Sequence, residues 1–384
     1  MDRPRHERDV RQRLRHAPIV AILGARQAGK TTLAGKLAAA SRKATIFDLE
    51  NEADVARLGD PGLALRGLRG LVVLDEIQRR PELFPMLRVL ADRPDTPARF
   101  LVLGSASPEL LRQSSESLAG RIAFYELGGF DLEEVGPSAW RRLWLRGGFP
   151  RSFLARNDAE SLLWRRNFIG TFLERDLPQL GIGTPAPTLR RFWSMLAHWH
   201  GQIWNATEFA RAFGVSVPTV GRYLDQLEST FVVRRLPAWH ENISKRQVKA
   251  PKVYVADGGL LHALLGLGRE HDLLGHPKVG ASFEGFAIEQ VLRRLGARRE
   301  EAHFWASHAG AELDLLVVRG RTRLGFEIKL TEAPTVTPSM RTALADLRLQ
   351  RLDVVHGGEQ TFSLAPRVRA VAVSRLIEDL RPLP

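Results

Sequence analysis

The sequence has 384 residues, 44% of them hydrophobic, and a formal net charge of +13. That apolar share excludes a disordered chain, the length predicts two or three domains, and the absence of cysteine excludes disulfides, cysteine zinc sites and thiol catalysis. The charge favours polyanionic partners, although 48 arginines against 8 lysines assign part of it to a general arginine preference.

The opening stretch MDRPRHERDVRQRLRH lacks an apolar signal core, and no later run reaches membrane-spanning length. A cytoplasmic protein without membrane contact is expected. The first chemical signal is PIVAILGARQAGKTTLAGKLAAA. An apolar strand, Ile19 to Leu23, runs into Gly24, Ala25, Arg26, Gln27, Ala28, Gly29, Lys30, Thr31 and Thr32, and a helix over Thr32 to Ala40 follows. This is the strand–loop–helix setting of a phosphate-binding loop. Backbone N–H groups of such a loop turn toward phosphate oxygens, helped by the helix N-terminus. Lys30 would then contact the β- and γ-phosphates of ATP, and the Thr31 hydroxyl would ligate Mg²⁺.

A second strand, GLVVLDEIQ, ends in an acidic pair. Asp75 is suited to hold Mg²⁺ through water, and Glu76 to polarise the attacking water. A third strand, ARFLVLGSAS, places Ser105 at its end, between the γ-phosphate and that pair. Strands alternating with helices predict a parallel α/β sheet with its ligand at the strand C-terminal ends.

GARQAGKTT, LDEIQRRPELFPMLRVLAD, LVLGSAS and ESLAGRIAFYELGGFDLEEV, in that order, resemble the AAA-type ATPases of bacteria and archaea that carry a C-terminal domain of uncharacterised function. The resemblance implies ATP hydrolysis with Ser105 as the first sensor. It also implies a homo-oligomer in which a neighbouring subunit lends an arginine. Arg121 is the first candidate for that residue and Arg175 the second. The ATPase domain is placed at residues 1–180.

GIGTPAPT, residues 181–188, reads as a linker. Beyond it, NATEFARAFGVSVPTVGRYLDQLESTFVVRRL reads as a helix, a tight Gly214 turn, a second helix with Val220, Tyr223, Leu224 and Leu227 inward, and a strand. This predicts a winged helix over residues 189–265. Ser216, Thr219 and Arg222 would approach DNA, and Lys245, Arg246, Lys249 and Lys252 would form a basic wing against phosphates. A packing module and a solvated charged loop are the plainer readings of the same residues.

The last domain is placed at 275–384. AELDLLVVRGRTRLGFEIKL, residues 311–330, reads as a hairpin turning at Gly320 and Arg321. In that register Leu313 faces Ile328, Leu315 faces Phe326 and Val317 faces Leu324. On the other face Glu312 meets Lys329, and Asp314 meets Glu327. Like charges directly opposed are destabilising, and a divalent cation between Asp314 and Glu327 would relieve them. An Asp followed by Glu-x-Lys on the next strand resembles the core of restriction-endonuclease-like nucleases. Glu284, on an upstream helix with Phe283, Ala287 and Val291 inward, matches the first acidic position of that core. The fold class expected is α/β: an AAA-type parallel-sheet domain, a winged helix and a restriction-endonuclease-like domain. The function expected is an ATP-driven machine on DNA. The alternatives are an ATP-regulated nuclease and a nucleotide switch acting on a protein partner.

Overall fold

Five short, mostly apolar runs form the first sheet in a computed structural model that describes residues 2–94, 98–105, 118–240, 250–307 and 310–383. They are β1 (Ile19–Leu23), β2 (Ala44–Asp48), β3 (Gly70–Asp75), β4 (Ala98–Gly104) and β5 (Ile122–Glu126), in the order β2-β3-β4-β1-β5. Every pairing is parallel. Strand alternation explains why β1 is apolar throughout. Ile19, Ala21 and Leu23 pack with Phe84 and Leu87 of the helix Leu83–Ala91. Val20 and Ile22 pack on the opposite face with Leu33, Ala34 and Leu37 of the helix Lys30–Ala39. A parallel strand covered on both faces has no polar side to show. Parallel pairing also brings the C-terminal ends of β1, β3 and β4 together.

This unit comprises Met1–Gly129 and Ser229–Phe231, so it closes well before the expected boundary at residue 180. The reason is burial. Phe130, Leu132, Trp140, Leu143 and Trp144 belong to the core of the other unit, where Trp144 packs edge-on against Phe283.

The second unit, Phe130–Glu228 with Val232–Pro384, contains two further sheets. The smaller has the order β6-β8-β7, from β6 (Gln202–Ile203), β7 (Val233–Leu236) and β8 (Lys252–Val255), with antiparallel pairing. Helices Ala186–His198, Ala206–Phe213 and Val217–Ser229 accompany it. The Gly214 turn is left-handed, with φ 64°. Val220, Tyr223, Leu224 and Leu227 are buried, as their spacing requires. Lys245, Arg246 and Lys249 lie outside the described residues.

The larger sheet has six strands: β9 (Ala302–Ala306), β10 (Glu312–Arg319), β11 (Thr322–Lys329), β12 (Arg351–His356), β13 (Phe362–Ala365) and β14 (Val368–Ala372). Their order is β13-β14-β12-β11-β10-β9, with β12 parallel to β11 and β14. Phe283, Ala287 and Val291 of the helix Val279–Leu295 pack against Leu315, Val317, Phe326 and Ile328. Met340, Ala343 and Leu344 of the helix Pro338–Asp346 pack in a second cluster with Leu313, Leu316 and Leu352.

The hairpin turns at Gly320, whose φ of 57° suits the first turn position, and Arg319 pairs with Thr322. Leu315 faces Phe326 and Val317 faces Leu324, as the sequence predicts. Leu313 departs from the expectation. It packs in the cluster of Met340 and Leu344, while Ile328 packs in that of Leu315. The cause is a register shift against β9 between Leu313 and Leu316, where β10 carries one residue more than its partner. Such a bulge breaks the two-residue alternation and re-aims side chains at that point.

Candidate nucleotide site and C-terminal acid cluster

Gly24 begins the turn out of β1. A Cβ there would meet the Leu127 carbonyl oxygen at 2.1 Å, so only glycine fits. Gly29 closes the loop with φ 98°, a conformation that glycine adopts without penalty. Lys30 then starts its helix with a buried side chain. Its Nζ donates to the carbonyls of Gly24 (2.9 Å) and Ala25 (3.0 Å) and to Ser105 Oγ (3.1 Å). Burial pulls the ammonium down to about 8, against the opposing pull of the Glu76 and Asp75 carboxylates. An ammonium gathered by its own loop carbonyls is poised to exchange them for phosphate oxygens.

Thr31 Oγ1 donates to Asp75 Oδ2 at 2.7 Å, which brings together a hydroxyl and a carboxylate, the hard oxygen donors that Mg²⁺ takes. Burial raises the Asp75 carboxyl, with the Thr31 hydrogen bond opposing. Asp75 Oδ1 accepts from the Glu76 N–H at 2.8 Å. Glu76 itself is left-handed, at φ 55° and ψ 47°. Ser105 Oγ donates to Glu76 Oε2 at 3.4 Å, and the Gln78 side-chain amide donates to the same oxygen. Lys30, Ser105, Glu76, Thr31 and Asp75 therefore form one connected group at the strand ends. Arg26, on the loop, pairs with Glu50 at 2.6 Å. Gln78 and Glu50 were not singled out by the sequence reading, since neither belongs to a spaced motif.

Arg121 is half-exposed and forms a two-pronged pair with Asp92, at 2.5 and 2.9 Å. Arg175 is exposed on the π-helical segment Phe172–Asp176. Ser216 and Arg222 are exposed, Thr219 is half-buried, and Ser216 and Thr219 share a 2.9 Å hydroxyl contact.

Lys252 overturns the sequence expectation. It is not on a basic wing: its side chain is 5% exposed and its ammonium points into carboxylates. Nζ lies 3.1 Å from Glu284 and 3.6 Å from Asp314, and it pairs with Glu312 as well. β8 alternation turns Tyr254 the same way, and its hydroxyl donates to Glu284 Oε1 at 2.6 Å. Burial disfavours the Lys252 charge, yet Glu284, Asp314 and Glu312 hold it well above the usual lysine range. Glu312 thus pairs with Lys252 where Lys329 was expected. Lys329 instead bridges Glu327 on its own strand at 2.8 Å. Asp314 Oδ2 accepts from the Ile328 N–H at 2.8 Å. Glu327 Oε2 is buried and has no hydrogen-bond partner.

Burial, and then the Asp314 charge, push both Glu284 and Glu327 up to about 7, against Lys252 and Lys329 respectively. A carboxyl raised from its ordinary 4.5 binds a proton in the folded chain that the unfolded chain has already released. Metal-free stability should therefore fall as pH climbs from about 4.5 toward 7. Glu327→Gln removes one such group. Unfolding free energies from urea titrations between pH 5 and 8 in chelator should decline less than those of the unaltered chain, by on the order of 1–3 kcal/mol. An unchanged slope would show that Glu327 is not the group that titrates.

Residues 16–136 match an AAA domain. Residues 137–271 and 279–376 match two domains of unknown function, DUF8612 and DUF4143. Two curated relatives, the uncharacterized protein Mb2031c of Mycobacterium bovis and the uncharacterized protein Rv2008c of Mycobacterium tuberculosis, are each 51% identical over 368 residues. In each case the alignment covers 96% of this chain and 83% of the relative. Among solved structures, the Walker-type ATPase PABY2304 of Pyrococcus abyssi is 15% identical with a TM-score of 0.50, over 69% of this chain and 95% of that one. That likeness speaks for the fold. No described helix is long and apolar enough to cross a membrane.

Proposed function

We propose that this chain, which belongs to the same family as the two mycobacterial proteins, hydrolyses Mg²⁺–ATP in its AAA domain and uses the cycle to act on DNA. One observation carries the hydrolysis: Lys30, Ser105 and Glu76 are linked in series beside the Thr31–Asp75 pair. In this reading the loop and Lys30 bind the phosphates. Thr31 and Asp75 hold Mg²⁺, Ser105 senses the γ-phosphate and Glu76 polarises water. The residues fit the metal because both candidate ligands are oxygen donors already in contact. A neighbouring subunit would supply Arg121 or Arg175, which requires Arg121 to leave Asp92.

The DNA role rests on the basic chain and on the order helix, strand, helix, helix, strand, strand around β6, β7 and β8, which we read as a winged helix. Ser216, Thr219 and Arg222 are its candidate contacts. ATP turnover measured with single-stranded, duplex and branched DNA tests the role. Stimulation of several-fold that weakens steeply with salt is expected. Turnover indifferent to all three would favour a protein partner.

A second reading is favoured by the C-terminal cluster. The helix Val279–Leu295, β9, β10, β11, the helix Pro338–Asp346 and β12 follow in the order we read as a restriction-endonuclease-like core. The orphaned Glu327 Oε2 beside Asp314 suits a divalent cation there. Lys329 stands next to them as the residue that would stabilise charge on a phosphodiester. Cleavage of DNA in Mg²⁺ or Mn²⁺ that disappears in Asp314→Ala would move this reading ahead of the first.

A further inference from the structure

The acid cluster contains a cation that the restriction-endonuclease-like reading does not explain. Lys252 comes from β8, in the smaller sheet, and not from the helix and hairpin that bear Glu284, Asp314 and Glu327. It has little access to solvent, at 5% side-chain exposure, so it cannot serve as a surface contact for a polyanion. An ammonium has three N–H donors, and Lys252 has three carboxylates around it: Glu284, Glu312 and Asp314. The Phe304 ring lies on the same ammonium, its centroid 5.7 Å from Nζ. Tyr254, two residues along, holds the Glu284 carboxylate in place.

Charge completes the picture. Glu284, Glu312, Asp314 and Glu327 bring four carboxylates, and Lys252 and Lys329 bring two ammoniums. With all six groups ionised, two negative charges remain. Glu327 is the member left unsatisfied: its side chain is 8% exposed, Oε1 pairs with Lys329, and Oε2 has no hydrogen-bond partner. Asp314 faces both halves, with Oδ1 toward Lys252 and Oδ2 on the Ile328 N–H.

We propose that Lys252 is a built-in cation that takes the position between Glu284, Glu312 and Asp314, so that the cluster accepts one divalent ion, between Asp314 and Glu327, and not two. The proposal rests on the second reading above, in which Asp314 and Glu327 bind metal. A single ion with Lys329 beside it makes any phosphodiester chemistry here one-metal chemistry. Lys252 then acts as a positioning residue: it holds Glu284 by a hydrogen bond and Asp314 by charge.

The test counts Mn²⁺ bound to nucleotide-free protein, read from the electron paramagnetic resonance signal of the free ion. An Asp75→Asn background removes the carboxylate that this reading assigns to metal at the nucleotide site, and Glu76, assigned to water, is left in place. One Mn²⁺ per chain is expected, lost in Asp314→Asn. Lys252→Ala should bind two, and removing Glu284 as Glu284→Gln from that variant should return the count to one. If Lys252→Ala folds only when Mn²⁺ is supplied, the ion has replaced the ammonium and the proposal stands. Lys252→Gln, which keeps the stem, should also bind two and guards against a folding failure. One Mn²⁺ in the parent and still one in both folded Lys252 variants would overturn the role of Lys252 while leaving the metal reading intact. No Mn²⁺ in the parent would overturn both.

Discussion

Lys30→Ala is expected to abolish ATP hydrolysis and to weaken nucleotide binding. The Lys30 ammonium is the buried cation at the end of β1, and its partners are two loop carbonyls and Ser105. A carbonyl is a poorer partner for an ammonium than a phosphate oxygen, so binding ATP exchanges weaker contacts for charge-assisted ones. Losing that cation removes stabilisation of the charge that develops on the transferring phosphoryl group. Losses of about 10²–10³-fold follow from deleting one such donor, and more where the deleted group is charged. The variant should stay folded, because the loop turn depends on Gly24 and Gly29 and alanine is a good helix former at the first position of the helix. Steady-state phosphate release and binding of a fluorescent ATP analogue separate the two effects. Turnover at the unaltered rate would remove the assignment of this loop as the hydrolytic site.

The contrast between the two chemical clusters shows what a sequence exposes. The nucleotide site was legible because its residues are local. Gly24, Gly29, Lys30 and Thr31 share one turn, and Asp75, Glu76 and Ser105 each end an apolar strand. Parallel pairing of β3, β4 and β1 then brings those ends together without further information. The C-terminal cluster was half legible. Turn chemistry gave the hairpin register from Leu315 to Arg319. The bulge at Leu313–Leu316 depends on β9, which no spacing within the hairpin encodes, and it moved Leu313 to the other face. Lys252 was misread for a related reason. In sequence it stands among Lys245, Arg246 and Lys249, and a run of bases reads as solvated. Its burial depends on Glu284, Glu312 and Asp314, 32 to 62 positions away. The alternation of β8, KVYV, did carry a signal: Lys252 and Tyr254 share a face, and both are buried against acids.

Glu76 supplies the second large effect, because its backbone and its side chain make separable predictions. A non-glycine residue at φ 55° costs on the order of 1–3 kcal/mol, and such strain persists where the surroundings over-determine it. Here Asp75 Oδ1 holds the Glu76 N–H, while Ser105 and Gln78 hold its carboxylate from the other side. The left-handed turn aims the carboxylate back over the strand ends rather than onward along the chain. Glu76→Gln keeps the turn and the size of the side chain but removes the base. Hydrolysis should fall about 10²–10⁴-fold while Mg²⁺–ATP binding survives. Glu76→Gly removes the base and the strain together. It should hydrolyse as poorly as the glutamine variant yet unfold later, with a gain of about 1 kcal/mol after the extra chain entropy of glycine is subtracted. Thermal or urea unfolding beside ATPase rates for the pair checks both halves. If Glu76→Gly loses activity and stability together, the left-handed turn is held by the side chain and is not stored strain. If Glu76→Gln keeps its rate, water activation belongs to another group, and the series from Lys30 through Ser105 to Glu76 is a structural brace.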